Sequence, residues 1–406
     1  MKLFKSLLVA PATLGLLAPL SATANEVTIN DFNAAEEIAV TNSRLDSLEV
    51  QVNEFEAGGF SDTTTLDGKV AFSVGAIEDA DGVPSDTGNG EGLMAAYSYT
   101  ANLNTSFTGD DNLYVRIKAG NAADWMSSTT YGTYLSSAKG SADALAVDKI
   151  WYEFPVGESG TVWVGPKIEN YYMHATTPSI YKPVTKQFTL GGNGAAYGAS
   201  TNSGFGLAYN ADNGFAVSTN FVSKQNGTAN GLFTNQAQTS WATQVGITKP
   251  QYSASLILNQ KYNGWSDSYF STASGRTRGG TGNSTNLGLR GWWRPLDSGT
   301  LTPSVSLGLD ISDIDGVGEA VNETSAYFLG LNWTDIFQAD DRLGLALGQP
   351  QKVENESTDP FAWEAYYSFK VNDSITVTPT VFGTSSRDST TTNDITGFVV
   401  DTVFKF

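Results

Sequence analysis

The sequence predicts an all-β transmembrane barrel of about 16 antiparallel strands, preceded by a short N-terminal coiled-coil helix. Three observations carry that prediction. The last stretch, Asp394 to Phe406, alternates with period two: Phe398, Val400, Thr402, Phe404 and Phe406 on one face, Gly397, Val399, Asp401, Val403 and Lys405 on the other, ending on an aromatic residue. From Leu66 onward about 16 such segments recur, most of them about as long as a tilted strand needs to cross a bilayer. The connections alternate short and long, a parity that a soluble sandwich has no reason to keep.

Taken in order, Met1 to Ala24 reads as a secretory signal. Lys2 and Lys5 give the charged start, Leu7 to Leu20 the apolar run broken by Pro11, Gly15 and Pro19, and Ala22-Thr23-Ala24 the cleavage site. Residues 25–59 read as a periplasmic segment containing one helix, about Glu36 to Glu56. Ile38, Leu45 and Val52 lie seven apart, and Thr41, Leu48 and Phe55 repeat the spacing three residues on, an a/d seam of about three heptads. So short a seam is marginal alone and needs the barrels to bring copies together. Gly58-Gly59 ends it, and residues 60–406 form the barrel domain.

The strands are expected near 66–77, 92–107, 112–120, 147–155, 161–168, 204–210, 214–224, 238–249, 251–262, 285–294, 300–311, 324–333, 341–348, 361–371, 374–383 and 395–406. Short turns such as Gly109-Asp110-Asp111 and Asn372-Asp373 alternate with long loops such as 121–146 and 169–203. Leu301, Val305, Leu307, Leu309 and Ile311 oppose Thr302, Ser304, Ser306, Gly308 and Asp310, and Phe361, Trp363, Ala365, Tyr367 and Phe369 oppose Glu364, Tyr366, Ser368 and Lys370. The apolar face should meet lipid, where a charge at mid-depth costs about 2–4 kcal/mol. Tyr97, Tyr99, Trp293, Trp333, Trp363 and Tyr367 are candidates for interfacial girdles.

The chain is acidic, with 42 Asp and Glu against 23 Lys and Arg and a formal net charge of −19, which argues against nucleic acid and against a polybasic surface protein. It has no cysteine and one histidine, His174. That leaves no thiolate metal site, no usual base–nucleophile set and no expected cofactor, so an enzyme is not expected. The acidic run Asp310 to Glu319 does not match an EF-hand spacing and reads as a solvated loop tip.

The basic residues fall mostly on inward strand positions: Lys69, Arg116, Lys118, Lys149, Lys167, Lys261, Arg290, Arg294, Arg342 and Lys370. Inward acids are fewer, chiefly Glu153, Asp310, Glu364 and Asp401. These are the expected pore-lining groups, a basic wall inside an acidic exterior, with the alternative that each cation pairs with a loop carboxylate and holds the loop. Tyr114, Trp292 and Tyr366 are inward aromatics of the kind a sugar slide would use. The longest connection, Glu169 to about Ser203, carries Tyr171, Tyr172, His174, Tyr181, Lys182 and Lys186 and ends Gly-rich. Its aromatics and prolines predict an ordered segment that folds inward and narrows the pore. Phe398, Val400, Phe404 and Phe406 are the expected assembly signal for the barrel-insertion machinery.

The stretches LEVQVNEFEAGGFSDTTTLDG (Leu48 to Gly68), IWYEFPVG (Ile150 to Gly157), TVWVGP (Thr161 to Pro166), IFQADDRLGLALGQP (Ile336 to Pro350) and the terminal FVVDTVFKF together resemble cyanobacterial outer-membrane porins, grouped as iron-uptake porins and related to the carbohydrate-selective porins. The resemblance runs from about residue 40 to the end. It implies a homotrimer with a coiled-coil neck in the periplasm and a barrel per subunit in the bacterial outer membrane, passing small hydrophilic solutes and inorganic ions. The alternatives are a channel specific for carbohydrate or iron species and a mainly structural envelope protein. The family usually carries a surface-layer-homology domain between signal and neck. Only Asn25 to Glu36 lie there, so cell-wall anchoring through it is doubtful for this chain.

Overall fold

The computed structural model describes residues 59–61, 63–80, 92–127, 132–192, 194–224, 231–267, 270–272, 282–315, 323–386 and 394–406. The signal and the heptad seam lie outside the described residues. After the three-residue strand β1 (Gly59–Ser61) come β2 (Thr64–Ala80), β3 (Met94–Thr105), β4 (Asn112–Gly120), β5 (Ala146–Val156), β6 (Gly160–Glu169), β7 (Thr201–Asn210), β8 (Phe215–Ser223), β9 (Thr239–Thr248) and β10 (Tyr252–Tyr262). The second half is β11 (Ser284–Trp293), β12 (Ser304–Ile314), β13 (Glu323–Thr334), β14 (Arg342–Val353), β15 (Phe361–Asn372), β16 (Ile375–Ser385) and β17 (Asp394–Lys405). Each strand from β2 to β17 pairs with the next, and β17 pairs back onto β2 from Lys405↔Lys69 to Asp394↔Ala80, closing a 16-stranded antiparallel barrel. Closure leaves no sheet edge, the condition for a β-structure in lipid.

Alternation in sequence becomes alternation in burial. Along β10 exposed and buried residues alternate at every position. Leu256 and Leu258 are 47% and 43% exposed while Ile257, Asn259 and Lys261 are at most 1% exposed. The arrangement inverts a soluble protein: leucines outside, amides and charges inside, as a lipid-facing wall requires. One strand starts later than expected. Leu301 lies outside β12 and is exposed, because Pro295 to Pro303 form the turn and pairing with β13 begins at Ser304↔Asn332.

Two short turns share one device. In Phe107–Asp111 and in Phe337–Asp341 the second aspartate folds back onto the turn. Asp111 accepts from the backbone N–H of Phe107 (2.9 Å) and Thr108 (2.8 Å) and from Tyr152 Oη on β5 (2.6 Å). Asp341 accepts from the N–H of Ile336 (2.8 Å), Phe337 and Gln338 and from Tyr367 Oη on β15 (2.9 Å). The Tyr152 hydroxyl, with the turn donors, holds the Asp111 carboxyl well below its usual range. Phe107 and Phe337 lie against those same tyrosines, at 6.4 and 5.6 Å between ring centroids, and with Phe154 and Phe369 form part of an aromatic collar at the short-turn end.

Phe406 belongs to this collar. It stacks on Tyr99 with centroids 6.1 Å apart, and its backbone exchanges hydrogen bonds with Gly68 at the start of the closing pair. Phe404 packs edge-on against Phe72 at 5.3 Å, and Phe398 and Val400 are exposed on the outer wall. Removing Phe406 is expected to lower the yield of folded, heat-modifiable protein. Unchanged assembly would show that the last ring is dispensable.

Candidate functional site

The lumen is where chemistry can occur, and the 170–200 connection (loop 3) decides its shape. Its ends are tied together. Asn170 Oδ1 accepts from Ser200 N–H (3.0 Å), and Asn170 and Ser200 both bond Asp267, which also pairs with Lys261 at 3.0 Å. Between these ends the loop runs around the inner wall. The N–H of Ala175 donates to Ser218 on β8 and that of Thr176 to Gln244 on β9 (2.9 Å). Trp292 on β11 donates to Thr177 O, Ser306 on β12 accepts from the N–H of Ile180 and Tyr181, and Asn332 on β13 accepts from Lys182 N–H. The last anchor is Glu364 on β15, fully buried. Its carboxylate accepts from Tyr181 Oη (2.8 Å), Val184 N–H (3.1 Å), Thr185 N–H (2.8 Å) and Thr185 Oγ1 (2.6 Å).

The loop then turns back through the lumen. Phe188, fully buried, packs between Phe270 and Phe328 at 5.5 and 5.8 Å. Leu190 O accepts from Arg290 Nε (2.9 Å), and Ala196 O from Asn259 Nδ2 (3.0 Å). Wall glycines admit this approach: a Cβ on Gly308 would lie 1.9 Å from Gly191 O. His174 is an internal brace. Burial lowers its pKa to about 4, so the ring is neutral and Nε2–H donates to Tyr197 O at 2.9 Å.

The 121–145 connection (loop 2) also folds inward, which was not expected. Leu135 bridges Thr185, Ser136 N–H donates to Val184 O (2.7 Å) and Lys186 N–H to Tyr134 O (2.7 Å), zipping loop 2 to loop 3. On the far side Ser137 Oγ donates to Asp401 on β17 (2.8 Å), and Trp125 lies 5.9 Å from Phe382 on β16. Trp125, Met126, Leu135, Val184 and Phe188 thus build an apolar core inside the barrel. The large apolar residues of this long connection are a sequence signal for it, whereas length, aromatics and prolines together point to loop 3.

The predicted pore-lining groups divide. Lys149 pairs with Glu169, which also accepts from Tyr171; Lys261 pairs with Asp267; Lys370 pairs with the turn residue Asp340 at 2.7 Å. Arg290, 3% exposed, holds Asp310 through Nη2 at 2.9 Å and also reaches loop 3. Each of these stands where a carboxylate approaches: Asp267 and Asp340 from a loop and a turn, Glu169 and Asp310 from strands β6 and β12. Glu364 is a buried anchor rather than a lining group, it holds the buried Tyr181 of loop 3, and Trp292 and Tyr366 likewise hold the loop, Tyr366 Oη accepting from Asn332. Lys167 leaves the inward row: β6 slips register at Gly165/Ile168, and Lys167 stands opposite Ile150, between the inward Lys149 and Trp151, with Nζ donating to Val147 O.

Lys69, Arg116 and Lys118 form no ion pair among the described residues. They lie on the β2–β4 wall, where loop 3 is not anchored. Lys118 is within electrostatic range of Lys186, Asp148, Lys69 and Arg116, and Asp148 is already held by Lys139 at 2.8 Å. Lys186 comes from loop 3, with Nζ 3.8 Å above the Tyr134 ring. Beside this basic strip stands an aromatic group. Tyr114 lies 4.4 Å from Trp151, Trp151 lies 4.6 Å from the 43%-exposed Tyr172, and Trp163 stands edge-on to Tyr172 at 6.5 Å. Arg116 sits 5.5 Å over Tyr114, and Trp163 Nε1 donates to Glu153 (2.7 Å). Trp151 and Trp163 were not singled out beforehand, since a tryptophan at an inward position reads equally as filling.

A closed wall with an apolar exterior, a polar lumen and an inward-folded loop defines the porin class. Residues 37–384 match the family described as carbohydrate-selective porin, OprB family, and the chain belongs to it. It is therefore an outer-membrane channel. It is similar to proteins of Nostoc sp. (27% identical, 92% of this chain and 70% of the relative) and Synechocystis sp. (25% identical, 86% and 69%). Among solved structures it resembles OprB of Pseudomonas putida at a TM-score of 0.59, with 12% identity over 85% of this chain and 94% of that one. The trimer form of OmpT, an outer-membrane protein of Vibrio cholerae, matches at 0.52, with 13% identity over 85% and 99%. At these identities the structural likeness speaks for the fold.

Proposed function

We propose that the chain is a homotrimeric, passive diffusion pore for small hydrophilic solutes and inorganic ions, with a preference for anions set by Lys69, Arg116, Lys118 and Lys186. The observation that carries this reading is that Lys69, Arg116 and Lys118 form no ion pair among the described residues and stand on the stretch of wall where loop 3 is not anchored, with Lys186 brought toward Lys118 by loop 3. Charges in a narrow, low-dielectric passage are screened less than those on the acidic exterior, so they outweigh the net charge of −19 in setting selectivity. The trimer form of the similar OmpT supports the assembly, and the heptad seam would serve as its periplasmic neck.

The test is the reversal potential in a KCl gradient across a planar bilayer. Wild type should favour chloride, and Arg116→Ser with Lys118→Ser should move the potential markedly toward the potassium value. A cation-selective wild type, or an unmoved variant, would place selectivity elsewhere.

A second reading, passage of neutral carbohydrate, has one specific support besides the family's description: the Tyr114–Trp151–Tyr172–Trp163 group beside Arg116, an apolar surface next to a fixed donor. Under it, Tyr172→Ala would weaken block by a neutral oligosaccharide and leave the reversal potential unchanged.

A further inference from the structure

Loop 3 leaves a cavity of about 610 Å³ between its Thr177–Lys182 segment and the short-turn ends of β9 through β14. We propose that this cavity is a second anion site, separate from the β2–β5 strip, for small solutes that carry a phosphate or carboxylate group. Three cations line it from three segments: Lys182 on loop 3, Arg294 just past β11 and Arg342 at the start of β14.

Two of the three cations are held in place. The Lys182 backbone is fixed to Asn332 Oδ1 at 3.2 Å, so the residue cannot withdraw without freeing the loop. Arg294 Nε donates to Pro250 O at 2.6 Å and its guanidinium lies 5.7 Å from the Trp292 ring, which fixes its stem and leaves Nη1 and Nη2 for a ligand. Lys182 stands within electrostatic range of Arg342 and Lys405. Among the described residues none of the three lining cations forms an ion pair, and the one acid at the rim, Asp297 on the β11–β12 turn, forms none with them. Like charges on one cavity wall repel, and an anion between them removes that repulsion.

Two neutral groups of the wall, Ser304 and Asn332, have other work. Ser304 Oγ donates to Asn332 O, and Asn332 Nδ2 donates to Leu343 O and Tyr366 Oη. With three cations on its lining, the cavity recognises through charge first, which favours a phosphate or carboxylate over an uncharged sugar. The site rests on the channel reading for access by small solutes. It does not rest on which groups set ion selectivity, because no residue of the β2–β5 strip lines it.

The test uses the full chain folded in detergent at low ionic strength, titrated calorimetrically with inorganic phosphate, with a hexose phosphate and with the parent hexose. Wild type should bind both phosphates and not the hexose. Lys182→Gln with Arg342→Gln should weaken phosphate binding at least about tenfold, the two lost charge-assisted contacts being ample for that. Lys352→Gln, at a cation outside the cavity that pairs with Asp359, should leave it unchanged. Heat-modifiability of each variant reports folding, and Arg294→Lys, which keeps a charge, serves as the milder change. No binding of phosphate by folded wild type overturns the proposal, as does equal loss in the Lys352→Gln variant. Tighter binding of the hexose phosphate than of phosphate identifies a sugar phosphate as the better-fitting source, and equal binding assigns the site to the phosphate group alone. A wild type that binds phosphate but carries no current would sink the channel reading and leave the site standing.

Discussion

Glu364→Ala is expected to raise single-channel conductance severalfold while the barrel stays closed. The carboxylate accepts four hydrogen bonds from Tyr181, Val184 and Thr185, and it is the last wall anchor before loop 3 turns back. Alanine leaves four donors facing a dry wall, at about 1–3 kcal/mol for each one unpaired. Leaving the wall and taking water is the cheaper response for the Tyr181–Thr185 segment. Loop 2 should loosen with it, since Leu135 and Ser136 are zipped to Val184 and Thr185. The sixteen strands keep their own ladders, so far-ultraviolet circular dichroism should not change. Glu364→Gln keeps an acceptor of the same shape and should fall between. Wild-type conductance in the alanine variant, with loop 3 still resistant to protease, would show that the apolar contacts around Phe188 hold the loop unaided.

Arg290→Met is expected to destabilise the folded barrel by about 3–5 kcal/mol without moving the reversal potential. Asp310 is 3% exposed and Arg290 is its ion-pair partner, so removing the arginine strands a buried carboxylate and frees Leu190 O of loop 3. Arg290→Met with Asp310→Leu removes both charges and should recover most of the loss, which a double-mutant cycle in urea would read. The electrical silence follows from neutralisation: the charge facing the lumen is that of the pair. A reversal potential that shifts as far as in the Arg116/Lys118 variant would show that Asp310 does not neutralise Arg290.

The contrast between Arg290 and Arg116 marks how far the sequence could be read. Both are cations on inward positions of alternating strands, and period two places them on the same side of the wall equally well. What separates them is Asp310, twenty residues away along the chain and beside Arg290 only because β12 returns next to β11 in the observed register. Lys167 shows the same limit: a register slip in β6 changed its side, and no alternation pattern announces a slip. Glu364 was legible as an inward acid. That it binds loop 3 rather than solute depends on where a 31-residue connection, 170–200, happens to lie.

The sequence by itself determined the barrel: its sixteen strands, their inward and outward faces outside the slipped β6, and the alternation of turns and loops. These follow from local terms, because period-two alternation, turn residues and strand length are written in neighbouring positions and the bilayer rewards only one way of satisfying them. Only the tertiary structure decided which charges remain for solutes. That choice depends on contacts between strands and loops far apart in the chain, where one carboxylate within 3 Å turns a lining cation into a brace: Asp310 does so for Arg290, and no carboxylate does so for Arg116 among the described residues.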